Sequence, residues 1–136
     1  MKSFSINTRV LPEHIDDLGH VNNVQYLYWV QTVAHAHWEK LTKGATESLG
    51  VWVVRSHSIT YKNQAFEGDV LTLHTFVKQS RGVLSERIVE IFNAEQILLA
   101  QCSTQWCYLD ASSQNPISIP ENILRLFNDN SITLIK

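Results

Sequence analysis

The residues best placed for chemistry lie in one short run, His14-Ile15-Asp16-Asp17-Leu18-Gly19-His20-Val21-Asn22-Asn23-Val24-Gln25-Tyr26. Two carboxylates, a histidine and a glycine stand directly before a stretch with helical spacing. A helix start presents N–H groups that have no intrahelical partner, together with a partial positive charge. Such donors can hold the oxyanion that forms when a carbonyl carbon is attacked. A carboxylate a few residues upstream could make that attack, or activate a water to make it. Asp, Asn and Gly are equally the residues of turns and helix caps, so by spacing alone Asp16, Asp17 and Asn22 also read as local structure.

Other reactive side chains are less organised. His35 and His37 are two apart on the same helical stretch, so they do not share a face as metal ligands three or four apart would. No metal site is expected. Cys102 and Cys107 lie five apart in a strand-like stretch, which places their Cα atoms roughly 16 Å apart, beyond disulfide reach. They face opposite sides of that strand and read as packing residues in a reducing compartment, hence a cytoplasmic location. His57 and Ser58 sit on an alternating stretch, where a structural role competes with a functional one.

The elements that must position these residues follow from periodicity. Residues 4–11 read as a first strand, ended by Pro12. Apolar residues at Leu27, Val30, Ala34, His37 or Trp38, and Leu41 predict a helix over 21–43, capped by Asn22 or Asn23 and closed by Gly44. Trp29, Val33 and Ala36 add apolar surface, so this helix should be wrapped by other structure on most sides. The period then switches to two, predicting strands at 51–62, 70–79, 83–92 and 97–109. In the last, Leu98, Ala100, Cys102, Thr104, Trp106 and Tyr108 share one face and Gln101, Ser103 and Gln105 the other. A short helix is expected at 121–128. One long apolar helix with a meandering antiparallel sheet is α+β.

Composition narrows the class. The chain has 136 residues, 44% hydrophobic and 18% charged, with a formal net charge of −2. That predicts one globular domain over 1–136, with no basic stripe for nucleic acid, no apolar run long enough to span a membrane, and no signal peptide at the start.

The run Asp16-x-x-Gly19-His20-Val21-Asn22-Asn23-x-x-Tyr26 resembles the signature of the 4-hydroxybenzoyl-CoA thioesterase-like family, D-x-D-x-x-G-H-V-N-N-x-x-Y, which leads into a long central helix. Ile59-Thr60-Tyr61-Lys62 and Phe66-Glu67-Gly68-Asp69-Val70-Leu71 look like that family's second strand, turn and third strand. The stretch from His20 through Trp29 is similar also to plant acyl-carrier-protein thioesterases. The likeness covers roughly residues 5–110. It implies a hotdog fold, a curved antiparallel sheet around one long central helix, paired into dimers whose active sites lie at the interface.

By that resemblance Asp16 is the essential carboxylate, and the N–H receiving the thioester oxygen maps near Asn23. His20 matches a histidine that is catalytic in the plant relatives, and Gly19 and Tyr26 are motif positions beside the substrate. His57 and Ser58 occupy a strand that approaches the acyl end of the pocket. Lys78 and Arg81 stand where related enzymes hold the coenzyme A phosphates, Arg pairing phosphate bidentately. The departures are specific. His14 replaces the first Asp, Asp17 is an extra acid, Leu18 replaces a plant-type Asn, and Gln31 replaces a frequent Glu, so it can orient a water but cannot be a base.

The implied activity is hydrolysis of an acyl-CoA or acyl-carrier-protein thioester, without metal or redox cofactor, by a homodimer or a tetramer of dimers. The alternative is an acyl-thioester binding protein with little turnover, motivated by His14 and Gln31. The G-H-F-P-G pattern of hotdog dehydratases is absent.

Overall fold

The computed structural model describes residues 2–128. In chain order they form β1 (Ser3–Arg9), a 3-10 turn (Pro12–His14), α1 (Asn23–Thr42), β2 (Val51–Tyr61), β3 (Val70–Arg81), β4 (Leu84–Phe92), β5 (Leu98–Leu109) and α2 (Glu121–Asn128). Every predicted element is present, with ends shifted by one or two residues. All five strands join one antiparallel sheet in the order β1-β3-β4-β5-β2, the hotdog arrangement. No helix among the described residues is long and apolar enough to cross a membrane.

Helix α1 starts where Asn22 caps it, its side chain accepting from Val24 N at 2.9 Å. The helix buries Tyr26, Trp29, Val30, Val33, Ala34 and His37, a single stripe at alternating steps of three and one. This corrects the expectation of wrapping on most sides: Trp29 and Val33 lie in the same stripe as Val30 and Ala34. Val24 and Tyr28 are 55% and 63% exposed, because the sheet of one chain covers only one side of the helix.

The core has two parts. Beneath the first half of α1, Tyr26, Trp29, Val30 and Val33 pack on Leu71, Leu73, Val89, Ile91, Leu99 and Cys102. Full burial of such side chains contributes about 1.5–3 kcal/mol each. At the other end Val77, Tyr108, Ile119, Ile123 and Phe127 gather with Trp38, Leu41 and Trp52, so α2 closes the sheet there.

The pairing slips at three places; one, between Ile91 and Phe92, leaves Leu99 of β5 as the extra residue, and the other two bear on the expected site residues. In β2 the pairing slips between Val54 and Ser56, leaving Arg55 as an extra residue. Trp52 and Val54 are half-buried before this bulge, and His57 and Ile59 after it. The inserted residue therefore flips the parity and turns His57 toward the helix. In β3 the slip falls between Val77 and Gln79, so Lys78 is the extra, exposed residue.

In β5 the predicted two-faced pattern holds from Ala100 to Thr104 and then breaks. Cys107, Tyr108 and Leu109 are all buried, because the chain after the strand folds back through Leu109–Pro116 pairing and α2. Both cysteines are buried and free.

Candidate active site

The run before α1 closes on itself as a small loop. Ile15 and Val21 pair as an isolated antiparallel bridge, Asp16 N donates to His20 O at 2.8 Å, and Asn22 N donates to His14 O at 2.9 Å. Gly19 closes the turn at φ +79°, a left-handed conformation that costs other residues roughly 1–2 kcal/mol. The Asp16 carboxylate is anchored inside this loop: its Oδ1 accepts from Leu18 N at 2.9 Å and from His20 N at 3.2 Å. Its Oδ2 has no partner among the described residues. Asp16 is half-buried, whereas Asp17 is exposed.

The loop delivers the chain straight into the helix start. There Asn22 engages Val24 N through its side chain and Gln25 N through its carbonyl. The Asn23 N–H donates to nothing among the described residues, and it carries the positive end of a 20-residue helix. Tyr61, at the end of β2, donates its hydroxyl to Asn23 O at 3.1 Å and holds this first turn from the sheet side. Tyr26 is buried in the core, packed edge-on to both Trp29 and Tyr61. It supports Tyr61 instead of presenting an open surface to a ligand. His20 is half-buried with its ring edge-on to Phe66.

A second group lies about two turns further along the helix. Gln31 Nε2 approaches His57 Nε2 at 3.4 Å, and His57 Nδ1 lies 2.8 Å from Thr104 Oγ1. With the Gln31 amide donating, the ring carries its proton on Nδ1 and gives it to Thr104. Burial pushes the His57 pKa down, which favours the neutral ring. Cys102 Sγ is 3.9 Å from His57 Nδ1, but burial raises its thiol pKa, so it is a packing neighbour and not a thiolate.

Three expected residues are not brought to this place. Ser58, one step from His57, is exposed and lies in register with Ser103, on the opposite face of the sheet. Lys78 and Arg81 are exposed near the far end of β3. That strand runs from Val70, paired with Arg9 beside the loop, to Arg81, which at ~3.3 Å per residue is roughly 36 Å away. Within one chain neither cation meets Asp16. His35 is exposed and pairs with Glu39, while His37 is buried, so the two histidines are separate.

Sequence reasoning missed Tyr61 as the clamp of the helix start and Thr104 as the partner of His57. Both contacts depend on strand register. It also missed Arg87, although an arginine in line with Val89 and Ile91 on the buried face of β4 was a visible anomaly.

The strand order with one long helix packed on one face of the sheet defines the hotdog fold. The chain belongs to the thioesterase-like superfamily, whose family model matches residues 10–127. A search of curated proteins by sequence gives no significant match. Among solved structures, a thioesterase predicted from Bacillus stearothermophilus is similar at TM-score 0.83 and 18% identity, over 93% of this chain and 95% of that one. A 1,4-dihydroxy-2-naphthoyl-CoA thioesterase from Synechocystis follows at TM-score 0.79 and 19% identity, over 94% and 97%. A mutant 4-hydroxybenzoyl-CoA thioesterase in complex with 4-hydroxybenzoyl-CoA gives 0.82 and 16%, over 93% and 99%.

Proposed function

We propose that the chain hydrolyses an acyl-CoA or acyl-carrier-protein thioester to free acid and thiol, with Asp16 as the reacting carboxylate. The observation that supports this reading is an Asp16 carboxylate with one oxygen anchored and the other without a partner among the described residues, in the loop that leads directly into the helix start at Asn23. The thioester oxygen takes the Asn23 N–H. Asp16 then either removes a proton from a water as that water attacks, or attacks the carbonyl itself to give a mixed anhydride that water opens. In both routes the tetrahedral oxyanion collapses, the C–S bond breaks, and the leaving thiolate takes up a proton. The helix-start donor acts most strongly on the developing charge, where such a donor is worth several kcal/mol. His20 shapes the loop through its backbone, and Gln31 with His57 orients groups beside the acyl chain.

Lys78 and Arg81 hold the phosphates of coenzyme A in this reading. Their distance from Asp16 within one chain means that they serve a site shared with a second copy. The edge strand β2 supports such a pairing. It is 11 residues long, one side of it is unpaired within the chain, and Val51 and Val53 are 39% and 43% exposed. Proteins seldom leave such an edge bare. The chain is therefore a homodimer, or a tetramer of dimers. Light scattering at assay concentration that found an active monomer would contradict this.

The activity is tested by following thiol release from short, long and aromatic acyl-CoAs. Release from at least one class is expected. Tight binding of every thioester without release would replace the hydrolase by a binding protein, the reading to which Gln31 and His14 point.

A further inference from the structure

Beneath the second half of α1 lies a cavity of about 220 Å³, walled by Trp38, Trp52, Trp106 and Phe127, with Arg87 on its sheet side. A cavity of ~150 Å³ accommodates benzene, so this one has room for a ring with a substituent, or a short chain. None of the residues lining it is an Asp or a Glu.

Arg87 is only 4% exposed, yet it has no carboxylate within ion-pair distance among the described residues. Its Nη1 donates to two neutral acceptors, His37 Nδ1 at 2.9 Å and Thr75 Oγ1 at 3.0 Å. Those two bonds use both hydrogens of Nη1. The Nε and Nη2 edge keeps three N–H donors and no partner among the described residues. That edge is the fork that fits a carboxylate bidentately. His37 supplies no counter-charge, because an imidazole is neutral or cationic and never anionic; burial and the neighbouring Arg87 hold its pKa down at about 4, so the ring is the neutral acceptor. A buried cation without a counter-charge costs several kcal/mol, which a stable fold seldom carries without a use. The indole Nε1 of Trp106, a residue of the same wall, is buried and has no hydrogen-bond partner among the described residues. The row Arg87–Thr104–His57 across β4, β5 and β2 joins this cavity to the Gln31–His57 pair.

We propose that this cavity binds a small organic carboxylate, its apolar body among the tryptophans and its anionic end on the Nε/Nη2 edge of Arg87. The carboxylate has two possible sources: the far end of an acyl group that is itself a diacid, or the free acid that the reaction releases. Only the assignment between these sources rests on the proposed hydrolase. The site itself does not.

Three tryptophans in the wall make binding visible as a change in intrinsic fluorescence. Benzoate is the probe, and benzyl alcohol is its uncharged counterpart of similar shape. Benzoate is expected to perturb the emission with a Kd of about 1 mM or tighter, at least ~10-fold tighter than benzyl alcohol. Arg87→Met should abolish that preference, and Arg87→Lys should keep part of it. If Arg87→Met does not fold, the comparison of the two probes on the natural chain still decides. Equal binding of both probes, or no benzoate binding at millimolar concentration, would overturn the proposal. Turnover then separates the sources. Faster cleavage of an acyl-CoA ending in a carboxylate than of its plain alkyl counterpart assigns the acyl group. Inhibition by benzoate without such a preference assigns the released acid. If no thioester is cleaved while benzoate still binds through Arg87, the hydrolase reading fails and the carboxylate site stands.

Discussion

At the scale of single residues, the loop shows how far a motif can be read and where it stops. Asp16, Gly19 and Asn22 could be picked out because their types are those of turns and caps as well as of catalysis. The structure gives Asp16 a local role through Oδ1, while its Oδ2 remains unpartnered among the described residues. Gly19 offers a clean test of whether loop shape matters. A Cβ placed there meets nothing within 4 Å, so any effect of substitution comes from its left-handed backbone alone. Gly19→Val should lose about 1–2 kcal/mol and most of the activity, whereas Gly19→Asn should lose less, because Asn tolerates this conformation. Urea unfolding and turnover of the two variants check the order. The contacts that could not be read, Tyr61 to Asn23 and His57 to Thr104, join residues 38 and 47 positions apart, and no local pattern encodes them.

At the scale of elements, the helix and strands were legible because the apolar period changes from about 3.6 to 2 near residue 51 and because Asn22 marks the helix start. The bulge in β2 was not. An extra residue in a strand leaves composition and propensity unchanged, yet it reverses which side chains face the helix. Deleting Arg55 should restore strict alternation and leave His57 facing the helix, because Val54 and Ser56 already pair with the adjacent residues Trp106 and Gln105; turnover should be retained, and its loss would contradict the bulge assignment. Arg55→Ala, which keeps the residue count, should leave turnover nearly unchanged. The start of β2 carries a second constraint. A Cβ on Gly50 would lie 2.4 Å from the Leu109 carbonyl oxygen and 2.6 Å from the Tyr108 ring, against backbone that cannot swing away. Gly50 N also donates to the Tyr108 hydroxyl at 2.7 Å. Gly50→Ala should therefore destabilise the fold by about 1–3 kcal/mol, read as a lower denaturation midpoint.

At the scale of the whole molecule, the buried His37–Arg87 pair sets the acid limit of stability. The folded state holds the His37 pKa down at about 4, against an unfolded value of 6.5, through burial first and the charges of Arg87, Lys2 and Lys40 after it. The unfolded chain thus binds the proton more readily. Stability is complete above pH 6.5 and falls as the pH drops toward 4, by about 3 kcal/mol from this group. His37→Gln, whose amide oxygen can still accept from Arg87 but does not titrate, should flatten that part of the curve; an unchanged slope in urea titrations would refute the assignment. The central claim is that Asp16 performs thioester hydrolysis on this scaffold. It is tested most directly by measuring turnover of the best acyl-CoA substrate by Asp16→Asn and Asp17→Asn side by side, with circular dichroism to confirm folding. Asp16→Asn should lose at least ~10²-fold in kcat while remaining folded, and Asp17→Asn far less. Full activity in Asp16→Asn, with or without loss in Asp17→Asn, would contradict the account.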